Sequence, residues 1–224
     1  MAAARAALEL LLRGRKLDLT LTSAQPWVAE PEERLAPTGV EAIDGPLGGG
    51  LRRGHLSEIV GSRSSGRATL LCQAFAAATA RGEVVALIDA CDRFDPASAA
   101  GSGVDLSRLL WIRERGDAAR ALKAANLVIQ AGGFGIVAFD LADVPAMAVR
   151  QFPYTTWMRL SRVVEGSQTA IVLIGADRIA RSAGGTTIAL QDLPRGSRGR
   201  WEGNSDRNRH LTGLDVQPRV VALR

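Results

Sequence analysis

Short hydrophobic runs alternate along the middle of the chain with longer alanine-rich segments. The hydrophobic runs lie at residues 55–60, 84–89, 109–112, 136–140 and 170–174, and the longer segments lie near residues 67–80, 117–131 and 156–165. A strand that is buried on both faces is apolar at nearly every position, whereas a helix needs a longer pattern. The sequence therefore predicts an α/β fold, in which a mostly parallel sheet is flanked by helices.

The pattern changes at two places after the fourth predicted strand. Pro153 prevents a helix from including the residues just before it, so residues 141–155 are predicted to be irregular. Beyond residue 174 glycine, threonine and arginine become frequent, and the runs at 186–190 and 214–223 predict antiparallel strands that close an edge of the sheet. A long loop is expected between these two strands.

The first residues of the chain predict an appendage to this core. Alanine and leucine occupy all sides of a predicted helix at residues 3–14. Leucine then alternates with polar residues over 17–22, which is typical of a half-buried strand. Prolines and glutamates then predict a linker at residues 23–37. The leucines can pack on the chain's own core or on a neighbouring protomer, and the sequence alone leaves both alternatives open.

Length and composition fit one soluble globular domain with small appendages. The 224 residues are 46% hydrophobic and 23% charged, which excludes a disordered or collagen-like chain. The predicted organisation has three parts. Residues 1–36 hold the N-terminal helix, strand and Pro/Glu linker, residues 37–194 hold the core, and residues 195–224 hold an Arg-rich loop and a closing strand.

Cysteine and histidine are too scarce for the usual zinc sites. With two of each and no Cys-x-x-Cys pair, we expect no metal, and unpaired cysteines favour a reducing compartment. The sequence contains no apolar run of the roughly 18 residues that span a membrane, and its first residues lack the pattern of a cleaved leader. We therefore expect a cytoplasmic protein that does not enter a membrane.

The net charge of +5 is concentrated late in the chain, where the last thirty residues hold seven arginines and three acidic residues. Arginines interleaved with a tryptophan can follow a phosphate backbone while the aromatic ring stacks on a base. The same stretch can instead be a solvated loop or contact a protein partner, and these alternatives stay open. The residues concerned are Arg195, Arg198, Arg200, Trp201, Arg207 and Arg209.

A glycine-rich turn lies between the first predicted strand of the core and the helix that follows it. Glycines at this position let backbone N–H groups converge on phosphate oxygens at a helix N-terminus, while a lysine and a hydroxyl bind the terminal phosphates and magnesium. The spacing predicts a phosphate-binding loop. Its residues are Gly61, Ser62, Ser64, Ser65, Gly66, Arg67, Ala68 and Thr69.

Two positions of this loop depart from the usual pattern. Arg67 replaces the lysine and keeps the charge, but its planar fork is bulkier than an ammonium group. Ala68 removes the magnesium-binding hydroxyl, and Thr69 is one residue late, which rotates its side chain by about 100 degrees. Asp140 ends an apolar strand and is the carboxylate expected to complete such a site. The sequence therefore predicts a degenerate nucleotide site.

This stretch resembles the bacterial RecA recombinase family in the order and spacing of its motifs. The resemblance covers residues 37–189 and implies a RecA-like fold of the P-loop NTPase type. The matching points are Thr38-Gly39, the turn at residues 44–50, the Ser-Ser-Gly of residues 64–66, Asp89-Ala90 with Asp95-Pro96, and Gly103-Val104-Asp105.

The resemblance also identifies a third departure. In that family a glutamate just after the Asp-Ala pair activates the attacking water, and Cys91 stands at that lost catalytic position. Because lysine, hydroxyl and glutamate are all missing, we expect no meaningful ATPase, no catalytic residue and no required cofactor, with weak ATP binding left open. Two alternatives remain: a divergent RecA-type DNA-dependent ATPase or recombinase that uses Arg67, Thr69 and Asp92, and an oligomerisation module that binds ATP without turnover.

A short RecA relative with damaged motifs is most similar to the ImuA-type accessory proteins of damage-induced mutagenesis. This resemblance implies a non-catalytic role in the bacterial DNA-damage (SOS) response and in error-prone translesion synthesis. The implied partners are a RecA-type recombinase and translesion polymerase components of an ImuB/DnaE2-like kind, with single-stranded DNA and self-association also open. The two DNA-binding loops of the family would retain Arg150, Phe152 and Tyr154 in the first and Arg178, Arg181, Gly184 and Gly185 in the second.

Overall fold

The structure is a computed structural model of the chain. The structure describes residues 34–180, 186–190, 198–205, 210–215 and 218–222. The predicted N-terminal helix and strand, and all of the predicted linker except residues 34–37, lie outside these ranges. The proposed boundaries of the three parts of the chain therefore stay predictions.

A seven-stranded sheet forms the centre of the described chain. Its order is β11-β8-β3-β7-β6-β4-β5, and every neighbouring pair is parallel except β11 with β8. Two small antiparallel pairs, β1 with β2 and β9 with β10, lie outside it. The strands are β1 Leu35–Ala36, β2 Leu51–Arg52, β3 Leu56–Gly61, β4 Val85–Asp89, β5 Leu109–Arg113, β6 Ile136–Asp140, β7 Ala170–Gly175, β8 Thr187–Leu190, β9 Arg198–Glu202, β10 His210–Asp215 and β11 Pro218–Ala222.

Helices connect the parallel strands of this sheet. The three longer ones confirm the predicted helices to within two residues, and three short ones were not predicted. The helices are α1 Glu41–Asp44, α2 Arg67–Ala80, α3 Pro96–Gly101, α4 Ala118–Ala131, α5 Ala146–Arg150 and α6 Tyr154–Val164, with a 3₁₀ turn at Leu106–Arg108. The predicted α/β fold with a mostly parallel sheet is confirmed.

Both faces of the sheet are buried, and the central strands send alternate residues into two hydrophobic clusters. In β6, Ile136 and Ala138 join the cluster that contains α2, whereas Val137 and Phe139 join the cluster that contains α4 and α6. Side chains of a strand alternate between its faces, so burial of both faces calls for an apolar residue at nearly every position. This requirement explains why the central strands were recognisable as continuous apolar runs.

The edge of the sheet that carries β8 and β11 agrees with the prediction in part. The antiparallel pairing of β8 with β11 is confirmed, but β8 also pairs in parallel with β3. The expected long loop contains the hairpin β9–β10, which was missed. The final strand was predicted to begin at Leu214 but begins at Pro218. Leu214 and Asp215 belong to β10 instead. Glycine and arginine in the hairpin give no alternating apolar pattern that would have indicated strands.

Pro153 marks the start of α6, as expected, but the predicted irregular passage before it was partly wrong. Residues 146–150 form the short helix α5. Pro153 has an extended conformation, with ψ of 144°, and α6 begins at the next residue. A proline is tolerated there because its missing N–H lies where a helix makes no internal hydrogen bond.

The carboxyl ends of β3, β7, β6 and β4 meet at one edge of the sheet. They end at Gly61, Gly175, Asp140 and Asp89 in the order in which the strands lie side by side. Parallel strands necessarily place these ends together, and ligands of open α/β sheets bind outside them. The loop predicted to bind phosphate and the predicted carboxylate Asp140 therefore lie at the same edge.

Glu58 ties two later segments of the chain to β3. This carboxylate is fully buried, and it accepts hydrogen bonds from the backbone N–H groups of Ile179 and Ala180 at 2.8 and 2.7 Å. Its second oxygen accepts a hydrogen bond from the Thr187 hydroxyl at 3.4 Å. A buried charge is tolerated only with such partners. Glu58 thus fixes the residues that follow β7 and the start of β8.

Within the described residues, no helix combines the length and the hydrophobicity needed to cross a membrane.

Replacing Glu58 with alanine should destabilise the fold, because two buried N–H groups lose their acceptor and a cavity remains. We expect the free energy of unfolding to fall by about 2 to 4 kcal/mol, measured by urea denaturation. Glu58→Gln keeps one acceptor oxygen and should lose less. Glu165→Ala, at an exposed position, is the control and should change stability by about 0.5 kcal/mol or less. Equal stability of Glu58→Ala and this control would contradict the assignment.

Candidate functional site

The glycine-rich turn connects the end of β3 to the start of α2, as the sequence predicted. Gly61 cannot carry a side chain, because a Cβ there would lie 2.6 Å from the Leu190 carbonyl oxygen. Gly66 has a φ of 97°, and Ser64 also has a positive φ, of 59°. A left-handed conformation is unfavourable for a serine and is often found at binding sites. The backbone of this loop is therefore held in a specialised shape.

The first turn of α2 offers unpaired backbone donors to this loop. Gly66, the residue before the helix, provides no capping side chain, and the first turn contains no acidic residue. The Leu70 N–H bonds to the Gly66 carbonyl at 2.9 Å, so the helical hydrogen bonds begin only there. The N–H groups of the first turn have no intrahelical acceptor, and they carry the positive end of the helix dipole. This end of α2 favours an anion.

Two polar side chains in the loop have buried atoms without a hydrogen-bond partner. They are the Ser65 hydroxyl oxygen and the Nη1 nitrogen of Arg67, two of only three such atoms in the described part of the chain. Ser65 is 5% exposed, and its hydroxyl lies against Gly61 across the loop. Buried polar groups are nearly always paired, and leaving one unpaired is costly. Both atoms are enclosed by the protein and lack a hydrogen-bond partner in this structure.

Two carboxylates face each other at the ends of neighbouring strands. Asp140 on β6 is in register with Asp89 on β4. Asp89 is buried and accepts hydrogen bonds from the backbone N–H groups of Arg93 and Phe94, at 3.0 and 2.8 Å, and from the Trp111 indole at 3.3 Å. These bonds fix the turn after β4. Asp89 is thus a structural carboxylate, a role that the sequence analysis did not assign.

Asp140 lies in a less favourable environment for a charge. Burial raises its pKa to about 6, and the neighbouring negative charges of Asp89 and Asp143 add to the rise. A hydrogen bond from the Ala142 N–H, at 2.9 Å, and the positive charge of Arg67 oppose it. Arg67 thus contributes positive charge to the environment of Asp140.

Cys91 lies beside these carboxylates, at the position where the family resemblance expects a glutamate. Burial raises the pKa of the Cys91 thiol, and the charges of Asp143, Asp140 and Asp89 raise it further. A thiol with a raised pKa stays protonated at neutral pH and cannot accept a proton from water. Its position fits the predicted loss of a catalytic group.

Asp92, which follows Cys91 in the sequence, is paired with an arginine on a neighbouring strand. Its carboxylate forms two hydrogen bonds with the Arg113 guanidinium on β5, at 2.7 and 2.9 Å. Arg113 also lies over the ring of Trp111, 4.5 Å from its centre. Asp92 has a φ of 57°, in the left-handed region. Asp92 is therefore engaged with Arg113, and Thr69 is exposed.

Asp143 was not predicted and joins the loop after β6 to the phosphate loop and to the turn after β4. Its carboxylate lies 3.5 Å from Arg63 and 3.8 Å from Arg93. The arginines are mostly exposed, so these ion pairs contribute little to stability. They come from three separate segments, and the sequence contained no signal for them.

The residues present do not fit the magnesium ion that a nucleotide site of this type implies. Ala68 has no oxygen to offer, and the Thr69 hydroxyl is on an exposed face. Asp140 is a carboxylate with a raised pKa that already accepts a hydrogen bond from Ala142. Within the described residues, no group of three or more His, Cys, Asp or Glu side chains could hold a metal ion.

The residues predicted to contact DNA lie in different surroundings in the structure. Arg150 and Arg178 line a cavity of about 110 Å³ between the segments that follow β6 and β7. Phe152 packs edge-on against buried Trp157, with ring centres 5.9 Å apart, so it belongs to the core, whereas Tyr154 is 47% exposed. Arg181, Gly184 and Gly185 lie outside the described residues.

The Arg-rich stretch is described only in part. Arg198, Arg200 and Trp201 belong to strand β9 of the hairpin. The remaining predicted contacts, Arg195, Arg207 and Arg209, lie outside the residues that the structure describes. Their proposed role in binding nucleic acid or a partner stays a prediction.

Replacing Asp140 with asparagine should stabilise the protein in a pH-dependent manner. Because the pKa of Asp140 is raised on folding, the folded state binds its proton more tightly, and stability falls as pH rises from about 4 to about 6. The neutral variant avoids this loss. At pH 7.5 we expect its free energy of unfolding to exceed that of the wild type by about 1 to 3 kcal/mol. The difference should vanish near pH 4.

Urea denaturation at pH 4, 5, 6 and 7.5 measures this difference. Asp177→Asn, in an exposed position after β7, is the matched control and should differ from the wild type by about 0.5 kcal/mol or less at each pH. A stability gain for Asp140→Asn that is the same at pH 4 and pH 7.5 would contradict the electrostatic cause.

Comparison with known proteins agrees with this geometry. The RecA N-terminal domain family matches residues 29–151. Protein RecA of Bifidobacterium longum is 35% identical over 139 residues, which are 61% of this chain and 35% of the relative. Protein RecA of Mycobacterium marinum is 42% identical over 107 residues, or 47% of this chain and 31% of the relative. The chain thus matches about a third of the length of these curated relatives.

A solved structure supports the fold independently. The crystal structure of the RadB recombinase superposes on 72% of this chain and 85% of its own, with a TM-score of 0.54 and 18% sequence identity. At this identity the likeness concerns the fold alone. The family match covers more than half of the chain and includes β3, the phosphate loop, α2 and β6. The chain belongs to the RecA N-terminal domain family.

Proposed function

We propose that this protein is a non-catalytic, RecA-like accessory protein of the bacterial DNA-damage (SOS) response that acts in error-prone translesion synthesis. In this role it contacts a RecA-type recombinase and translesion polymerase components of an ImuB/DnaE2-like kind, and the RecA-like fold serves as the scaffold for those contacts. Single-stranded DNA and further copies of the chain are additional candidate partners. The family's own activity is recombination, so the proposal requires the site to have lost turnover.

The observation that carries the proposal is the set of three replacements around one loop. Arg67 replaces a compact lysine charge, Ala68 offers no metal ligand, and Cys91 presents a protonated thiol where a base is needed. Each change removes a different group that would stabilise the transition state of hydrolysis. The groups that remain do not replace the lost stabilisation. A site altered in this way supports binding better than it supports hydrolysis.

The main rival is a divergent RecA-type ATPase that uses Arg67, Thr69 and Asp92. The ion pair between Asp92 and Arg113 is evidence against this reading, because the carboxylate would first have to leave its guanidinium partner. Asp140 provides a direct test, since a hydrolytic site of this family type needs that carboxylate.

We expect the purified protein to release phosphate from ATP at the background rate, with or without magnesium and single-stranded DNA. The Asp140→Asn variant should give the same rate as the wild type in a coupled phosphate-release assay. Turnover that depends on magnesium and disappears in Asp140→Asn would contradict the proposal and support the rival ATPase.

A tagged copy of the protein, recovered from its own host after DNA damage, tests the partner assignment. We expect a recombinase and translesion polymerase components among the bound proteins identified by mass spectrometry, and we expect them to remain after a wash at raised salt. Raised salt weakens contacts that depend only on exposed arginine charges. An undamaged culture and the tag alone are the controls. Recovery of neither partner class would contradict the accessory role.

A further inference from the structure

We propose that a row of arginines along the carboxyl ends of β3, β6, β4 and β5 is a docking surface for an acidic peptide segment of a partner protein. Three carboxylates hold these arginines in place. The row, or arginine edge, consists of Arg63, Arg93, Arg113 and Arg120. The inference goes beyond the proposed function and does not rest on it.

The first half of the arginine edge joins segments that follow three different strands. Asp143, in the segment after β6, lies 3.5 Å from the Nε atom of Arg63 and 3.8 Å from that of Arg93. Arg63 belongs to the loop after β3, and Arg93 belongs to the turn after β4. One carboxylate therefore holds two guanidinium groups that are distant in sequence.

The second half continues from the turn after β4 past the end of β5. Asp92, next to Arg93 in the sequence, forms two hydrogen bonds with Arg113. Glu114 follows directly and lies 3.4 Å from the Nε atom of Arg120, in the first turn of α4. At the usual spacing of about 4.8 Å between strands, the row from β3 to β5 is roughly 20 Å long, the length of about six extended residues.

In each of these ion pairs the arginine is the more exposed partner. The side chains of Arg63 and Arg93 are 81% and 65% exposed, whereas that of Asp143 is 29% exposed. The other two pairs show the same difference. At the opposite edge of the sheet, two of the three arginines in described ion pairs, Arg53 and Arg108, are less exposed than their carboxylates. The arginine edge thus presents guanidinium groups to solvent above covered carboxylates.

Most hydrogen-bond donors of this row are free to bind a partner. Arg63, Arg93 and Arg120 approach their carboxylates most closely through Nε, and within the described residues their Nη groups form no hydrogen bond. A guanidinium group donates two parallel hydrogen bonds to a carboxylate. Because the ion pairs already restrict these long side chains, less side-chain freedom is lost when a partner binds.

An acidic peptide fits this row better than the backbone of single-stranded DNA does. Four arginines and three carboxylates give the row a small net charge, whereas affinity for a phosphate backbone rests on many uncompensated positive charges. Single-stranded DNA also binds by stacking its bases on free aromatic rings. The rings described at this edge are engaged: Phe94 packs on Trp111 at 5.3 Å, and Arg113 lies over Trp111 at 4.5 Å.

Fluorescence anisotropy of a labelled peptide of six glutamates, titrated with the full-length protein at low salt, tests the inference. We expect the peptide to bind, and we expect the double variant Arg63→Ser/Arg93→Ser to weaken its binding at least fivefold. Arg159→Ser/Arg162→Ser removes the same charge from exposed positions of α6 and should bind as the wild type does. Thermal unfolding of both double variants establishes that a loss of binding is not a loss of folding.

A labelled deoxythymidine oligonucleotide of six residues is the second probe, and its binding should be the same for the wild type and for Arg63→Ser/Arg93→Ser. The inference is overturned by an absence of peptide binding, or by peptide binding that both double variants affect equally. Oligonucleotide binding that falls as steeply as peptide binding would assign the row to nucleic acid and also overturn it. None of these results bears on the accessory role, whose partners are expected to remain bound at raised salt, where exposed arginine charges are screened.

Discussion

Burial of the parallel sheet on both faces is the constraint on which the other features of this protein depend. Since helices cover both sides, the central strands are apolar at nearly every position, and most polar groups lie at the strand ends. Parallel pairing brings the carboxyl ends of β3, β7, β6 and β4 to one edge. Helix α2 begins at that edge, so its first N–H groups lie at the same edge of the sheet as the carboxyl ends of β4 and β6. The site follows from the topology before any side-chain chemistry is considered.

Glu58 is an exception to this rule that has a structural purpose. It is a fully buried carboxylate within an apolar strand, and it is accommodated because two backbone N–H groups and a hydroxyl surround it. The residues it holds, Ile179 and Ala180, follow β7 at the same edge as the phosphate loop. The strand that leads into the loop therefore also fixes the adjacent segment, which lines the cavity beside Arg150.

Sequence patterns predicted those parts of the structure that depend on local chemistry. The central strands and the three longer helices were predicted because their apolar pattern and length are local properties. The hairpin β9–β10 and the two-residue strands β1 and β2 were missed, because arginine, glycine and short length give no periodic signal. At the site, glycine spacing predicted the loop. The unpaired atoms of Ser65 and Arg67, and the ion pair between Asp92 and Arg113, depend on distances in the fold and could not be predicted.

Three carboxylates lie at this edge of the sheet. In a nucleotide site of the usual composition a cation balances such negative charges. Each charge has its own compensation. Asp89 is surrounded by donors from the backbone and Trp111, Asp143 is paired with two arginines, and Asp140 has a raised affinity for a proton. The positive charge of Arg67 opposes the rise in the pKa of Asp140 and is therefore part of this compensation. Asp89 and Asp143 are thus satisfied by fixed donors, whereas Asp140 depends on one backbone N–H group and on the charge of Arg67, so its carboxylate is the least compensated of the three.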